Sequence, residues 1–176
     1  MSQRDSGYER KERDLYETPE WVTLALVPHI NNRILPDQSI FEPAAGGGKM
    51  VAALQLAGFT VSGSDIADGW DFLKCQGTAA DAIVTNPPYE LAQDFIERAL
   101  AIMLERMGLV AMLLRTDYDH AKTRKHLFAD HRAFSKKLVL TKRIKWFEGT
   151  TGSPSFNHAW FIWDWKHEGP PTLAYH

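Results

Sequence analysis

Ala82-Ile83-Val84-Thr85-Asn86-Pro87-Pro88-Tyr89 is a short apolar run that stops dead at two prolines and an aromatic ring. The run has the length and composition of a strand. A helix-like stretch begins immediately after it, at Glu90. Two prolines fix two φ angles and remove two backbone donors. The Asn86 side-chain oxygen and a nearby backbone carbonyl are then held rigidly at a strand end. Together they can accept two hydrogen bonds from one amino group, and the Tyr89 ring beside them can stack on a flat partner. That is the apparatus needed for chemistry at a planar amino nitrogen.

Outward from this point the chain alternates strand and helix. Glu20 to Ile30 has apolar residues at helical spacing (Trp21, Leu24, Leu26, Val27), with Thr18 as N-cap and Pro19 at the first helical position. Ser39 to Glu42 reads as a strand and Lys49 to Ala57 as a helix closed by Gly58. Phe59 to Asp65 reads as a strand, and Leu91 to Met107 as an amphipathic helix ending at Gly108. Leu109 to Leu114 is a continuous apolar run, the pattern of a strand buried on both faces. Tyr118 to Asp130 is expected to be helical, Lys137 to Thr141 and Ala159 to Trp165 to be late strands, and Glu148 to Asn157 a loop. The alternation predicts an α/β fold, Rossmann-like, with a mostly parallel central sheet, helices on both faces and an antiparallel last strand. Ligands in such folds bind at the carboxyl ends of strands, where the informative residues fall.

The chain has 176 residues, 44% hydrophobic and 24% charged, ordinary values for one globular domain with a real core. Residues 1–14 are polar and read as a flexible lead-in, leaving 15–176 as a single domain. No apolar stretch approaches the roughly 20 residues of a membrane span, and no membrane partner is expected. A lone cysteine, Cys75, excludes an internal disulfide and a cysteine-built zinc site, which predicts no metal and a reducing, cytoplasmic setting. Net charge is -2, yet nine of the 20 Lys and Arg lie between Lys122 and Lys145, with Asp130 the only acid among them. A basic segment in a slightly acidic protein reads equally as a face for a polyanion or as a solvated helix with a lysine-protected edge strand.

Glu42-Pro43-Ala44-Ala45-Gly46-Gly47-Gly48 ends a strand and opens a helix. It has neither the Gly-Lys-Ser/Thr of a phosphate loop nor dinucleotide spacing. The Glu42 carboxylate would repel a pyrophosphate but pair with an ammonium group. Asp65 ends the next strand, where an acid typically takes ribose hydroxyls; it also reads as a turn aspartate. Asp71 beside Phe72 suits an adenine amino group and ring face, and again also a turn. Taken in order along the chain, the three support one another. A ligand with ammonium, ribose and adenine but no phosphate is S-adenosylmethionine.

With these pieces in hand, the chain from Tyr16 to Trp165 resembles the S-adenosylmethionine-dependent amino-group methyltransferases, most closely adenine-N6 DNA methyltransferases of the gamma motif order. Tyr16-Glu17-Thr18-Pro19 resembles the leading motif that contacts the methionine part of the cofactor. The resemblance makes Tyr16, Thr18, Pro19, Glu42, Pro43, Ala44, Gly46, Gly48, Asp65, Ile66, Asp71 and Phe72 cofactor residues and Asn86, Pro87, Pro88 and Tyr89 the catalytic signature. It implies that Asn86 and the Pro87 carbonyl orient the adenine amino group for in-line attack, with the base flipped out of a duplex and stacked on Tyr89. Phe147 is the expected second aromatic of the substrate site, and Lys122, Arg124 and Lys125 the expected nucleic-acid contacts, DNA being the favoured partner. His158, Trp160, Trp163 and Trp165 are assigned to packing of the last strand. The signature is shared with RNA adenine and protein glutamine-N5 methyltransferases, and a catalytically dead nucleic-acid-binding relative is a further alternative. Sequence-specific DNA enzymes carry a long target-recognition region. None is present between Glu42 and Asn86, and the segment from Asp117 to Lys137 is the only candidate substitute.

Overall fold

Among the described residues, seven strands form one sheet in the order β2-β1-β3-β4-β6-β5-β7. The computed structural model describes residues 17–146 and 156–176. The strands are β1 (Ser39–Glu42), β2 (Thr60–Gly63), β3 (Ala82–Thr85), β4 (Leu109–Arg115), β5 (Phe134–Val139), β6 (His158–Asp164) and β7 (Thr172–Tyr175). The helices are α1 (Glu20–Ile30), α2 (Lys49–Leu56) and α3 (Ala92–Arg106). β1 pairs in parallel with β2 and β3, and β3 with β4. β6 runs antiparallel between β4 and β5, and β7 is parallel to β5. Six strands therefore share one direction and β6 alone is reversed. The mostly parallel sheet read from the sequence is present. The reversed strand is followed by β7, an exposed edge strand that no apolar run announces.

The central strands are apolar on both sides because helices cover both faces. Alternation along β4 divides its residues between two cores. Val110, Met112 and Leu114 pack with Phe161, Trp163 and the inner face of α3, through Phe95, Ile96, Leu100 and Met103. Leu109, Ala111 and Leu113 pack with Trp160, Ile162 and helices α1 and α2, through Val22, Leu26, Ile30, Met50 and Leu54. The β6 tryptophans also tie the layers by hydrogen bonds. Trp160 Nε1 donates to the Val22 carbonyl at 2.9 Å, and Trp163 Nε1 to the Leu127 carbonyl at 2.6 Å. The Arg33 guanidinium grips the Asp164 carboxylate, with Nη2 donating at 2.6 Å.

Several local readings change. The α1 cap is Pro19, in extended conformation, rather than Thr18, which is buried. The core face of α1 carries Val22, Ala25, Leu26 and Ile30; Leu24 points to solvent. Tyr118 to Asp130 contains only two tight turns of the 3-10 kind, Tyr118–His120 and Lys122–Leu127. Leu127 and Phe128 are its only buried side chains, too few to hold an amphipathic helix on the sheet. β5 starts three residues before the expected Lys137, because Phe134 belongs to the core. The left-handed residue ending α3 is Met107 (φ 49°) rather than a glycine. Gly108 serves close approach: a Cβ there would lie 2.6 Å from the Asp81 carbonyl oxygen. Residues 1–14, Tyr16 and Phe147 lie outside the described residues.

Candidate active site

β1 and β3 are adjacent and parallel, so the loops at their carboxyl ends meet. The β1–β2 pairing continues into the glycine loop, where Ser64 N–H donates to the Glu42 carbonyl and Ala45 N–H to the Ser64 carbonyl, each at 3.0 Å. Asp65 then fastens the loop. One of its oxygens accepts from Gly46 N–H and the other from Ala67 N–H, both at 2.9 Å. Gly46 sits at φ 50°, which a glycine adopts without strain. The turn reading of Asp65 is thus real, and its carboxylate also shapes the loop.

These loops enclose a cavity of about 260 Å³. Its wall brings together Thr18, Glu42, Pro43, Ala44, Gly46, Asp65, Ile66, Asp71, Phe72, Asn86 and Pro88, from separate stretches of sequence. Four of the expected cofactor and catalytic residues lie off this wall. Pro19 caps α1, Gly48 caps α2 in the left-handed region, Pro87 is buried, and Tyr89 turns toward β6.

Glu42 is the most constrained group here. Its side chain is 1% exposed. One oxygen accepts from Ala44 N–H at 3.1 Å, and the other has no hydrogen-bond partner among the described residues. The Thr85 hydroxyl faces the carboxyl without closing a well-formed hydrogen bond. Burial pushes the Glu42 pKa up to about 8; Thr85 and Ala44 pull against this, and the charge of Asp65 adds to it. A buried carboxyl with an open oxygen on a cavity wall is a receptor for a cation or a strong donor. Asp71 lines the same cavity. Its hydrogen bond with Lys74 holds its carboxyl below the ordinary value, and it accepts from Leu73 N–H at 3.0 Å.

The wall has members that the motifs did not flag. Trp70 is 37% exposed, stands edge-on to Phe41 at 5.2 Å, and lines the cavity beside the exposed Ile66. A tryptophan directly before Asp71 was the available sign. Lys49 and Glu17 form an ion pair of 2.8 Å at the cavity wall. His158, the first residue of β6, is buried as expected and also reaches the site: its Nε2 lies 2.9 Å from the Tyr89 hydroxyl.

The basic segment divides in two. Lys125 pairs with Asp130, Lys137 with Asp119, and Arg124 lies over the Tyr118 ring at 3.9 Å, while Lys122 is exposed. Folding brings acids to this half that the linear sequence keeps apart from it. Lys142 and Lys145 are exposed and have no carboxylate partner among the described residues. They flank buried Ile144 beside Trp146, whose ring contacts His158.

Among the described residues no group of three or more metal-ligating side chains occurs, and no helix is long and apolar enough to cross a membrane. No family model matches the chain, and no curated protein matches it in sequence. Solved structures do match in shape. A type I restriction-modification methyltransferase subunit from Streptococcus thermophilus aligns with a TM-score of 0.60 and 13% identity, over 86% of this chain and 45% of that one. A Listeria monocytogenes structure described as a class I S-adenosylmethionine-dependent methyltransferase aligns at 0.57 and 15%, over 88% and 62%. A Pyrococcus horikoshii protein described as an RNA methyltransferase aligns at 0.56 and 14%, over 85% of each chain. The chain thus spans less than half of the first of these. The sheet, its single reversed strand and these neighbours together identify the fold as the Rossmann-like class I methyltransferase fold.

Proposed function

We propose that this chain transfers a methyl group from S-adenosylmethionine to the exocyclic N6 amino group of adenine in nucleic acid, with DNA the favoured substrate. The observation that carries the reading is the cavity that joins a buried carboxyl with an open oxygen, Glu42, to the Asn86-Pro87-Pro88 turn. The cavity fits the cofactor in chemical terms. Glu42 would hold its ammonium group, Asp65 its ribose, and Asp71 with Ile66, Phe72 and Trp70 its adenine. When bound, the cofactor supplies an already activated sulfonium methyl.

The protein's part is orientation and electrostatics. The Asn86 side-chain oxygen and the Pro87 carbonyl accept hydrogen bonds from the two amino protons of the target base. This favours a pyramidal nitrogen and stabilises the positive charge that grows on it during attack. Tyr89 stacks on the base, and base–aromatic stacking is worth about 1–3 kcal/mol. The decisive experiment is radiolabelled methyl transfer to duplex DNA, single-stranded DNA, RNA and protein, followed by nucleoside and amino-acid analysis. Label in N6-methyladenine from DNA is expected. Label in RNA would move the substrate, label in glutamine would overturn the nucleic-acid reading, and no label anywhere would mark an inactive relative.

Two further expectations follow from the cavity and its rim. Trp70→Ala should raise the dissociation constant for S-adenosylmethionine by roughly tenfold, the scale of one aromatic stack removed, as read by calorimetric titration. Replacing Lys142 and Lys145 with Glu should weaken DNA binding more than the same change at Lys125 and Lys137, because those two are already paired with Asp130 and Asp119. The slope of log affinity against log salt should become shallower by roughly one for each phosphate no longer neutralised. Equal effects of the two pairs would argue against this assignment.

A further inference from the structure

His158 is an unusual first residue for a central strand. Its neighbours along β6 are apolar, and it is itself 2% exposed. Because β6 is reversed, its first residue arrives at the end of the sheet where β3 delivers the Asn86–Tyr89 turn. There Nε2 lies 2.9 Å from the Tyr89 hydroxyl, with the two rings 6.2 Å apart and inclined by 30°. The Trp146 ring meets the imidazole edge-on at 5.2 Å. Arg115, opposite His158 on β4, is occupied by Asp117 at 3.1 Å and stacks over Phe156 at 4.2 Å.

The environment also sets the imidazole's state. Burial pushes its pKa down to about 4; Arg115 acts in the same sense, and the Phe156 backbone and Asp117 oppose it. The ring is therefore neutral at ordinary pH, with one donor and one acceptor nitrogen. Nδ1 closes no well-formed hydrogen bond among the described residues, but the Phe156 backbone beside it favours a proton there, which leaves Nε2 to accept the Tyr89 O–H. A buried imidazole without such a partner would be a net loss of stability.

Tyr89 needs an anchor. It follows Pro88 and starts a single tight turn, so its backbone is fixed, but its half-buried side chain has two rotatable bonds. A hydrogen bond at the far end of the ring removes that freedom. We propose that His158 is a positioning residue, which by accepting the Tyr89 hydroxyl hydrogen bond fixes the plane of the Tyr89 ring before a base arrives to stack on it. This rests on the methyl-transfer reading above and adds a residue to it.

The test is a double-mutant cycle on the intact chain. His158→Phe keeps the ring volume without the acceptor, and Tyr89→Phe keeps the ring without the hydroxyl. Each is expected to lower kcat/KM for nucleic acid by about five- to tenfold, the equivalent of one hydrogen bond. The double variant should be no worse than either alone. His158→Gln, which keeps an acceptor, should recover part of the loss, and affinity for S-adenosylmethionine should stay at the wild-type value throughout. Losses that multiply in the double variant, or a matching fall in cofactor affinity, would overturn the proposal. An independent readout is the nitrogen NMR spectrum of histidine-labelled protein, in which Tyr89→Phe should shift the His158 Nε2 resonance. If wild-type protein methylates nothing, the functional reading fails. The nitrogen spectrum still decides the anchor: an unshifted Nε2 sinks it.

Discussion

Asn86→Ala should leave S-adenosylmethionine binding roughly unchanged while lowering methyl transfer by on the order of 100- to 1,000-fold, the scale on which a positioned charge-stabilising group contributes. The separation follows from the site. The residues proposed to hold the cofactor, Glu42, Asp65, Asp71 and Trp70, are distinct from Asn86. Thr85 before it is buried in β3 and Pro87 after it is buried too, so the exchange alters a side chain on a fixed backbone. The measurement is single-turnover methyl transfer beside a calorimetric titration of the cofactor. Wild-type turnover in the variant would sink the proposed role of the amide.

Glu42→Gln should weaken cofactor binding by roughly 100-fold or more, because an ammonium left unpaired in a buried site costs about 3–5 kcal/mol. The wild-type protein should also show a pH dependence that the variant lacks. With its pKa raised to about 8, Glu42 is protonated in the ligand-free protein near neutrality. Binding an ammonium requires the carboxylate, so binding releases a proton and affinity should climb as pH rises toward 8. Stability moves the other way. The folded-state value lies above the ordinary 4.5, so the folded protein holds an extra proton between these two values. The contribution of Glu42 is full below about 4.5 and is lost as pH rises through 8. Thermal unfolding of ligand-free protein should therefore show a decline across that window, and Glu42→Gln should flatten it. Calorimetry in buffers of different ionisation enthalpy measures the released proton directly.

The sequence exposes the parallel half of the sheet well, for a physical reason. β3 and β4 are covered on both faces, so they must be continuous apolar runs. Most of the cavity residues were legible because they fall in short contiguous motifs, at the ends of β1, β2 and β3 and in the turn at Asp71. The C-terminal part was harder. β7 is an edge held by backbone hydrogen bonds, among them His176 N–H to the Val139 carbonyl at 2.9 Å, and backbone bonds leave no composition signal. Tyr118 to Asp130 has helix-forming residues but no face to bury, and tertiary packing breaks it into turns. His158 and Tyr89 are 69 residues apart, and only the reversal of β6 makes them neighbours. The basic segment is hard to read for the same reason: Asp119, which pairs with Lys137, lies outside it in sequence.

That reversed strand also shapes how the chain must be made. β6 lies between β4 and β5 but follows both in the sequence, and β5 pairs only with β6 and β7. On a ribosome, β1 to β5 emerge first. Until residue 164 has appeared, β4 presents a bare, almost wholly apolar edge, the kind of surface that recruits other chains. A chain stopped before His158 would lack the middle of its sheet rather than its margin, and β5 would have nothing to join. The quality of the synthesised product is thus decided late, by the single strand that seals an edge every earlier strand leaves open.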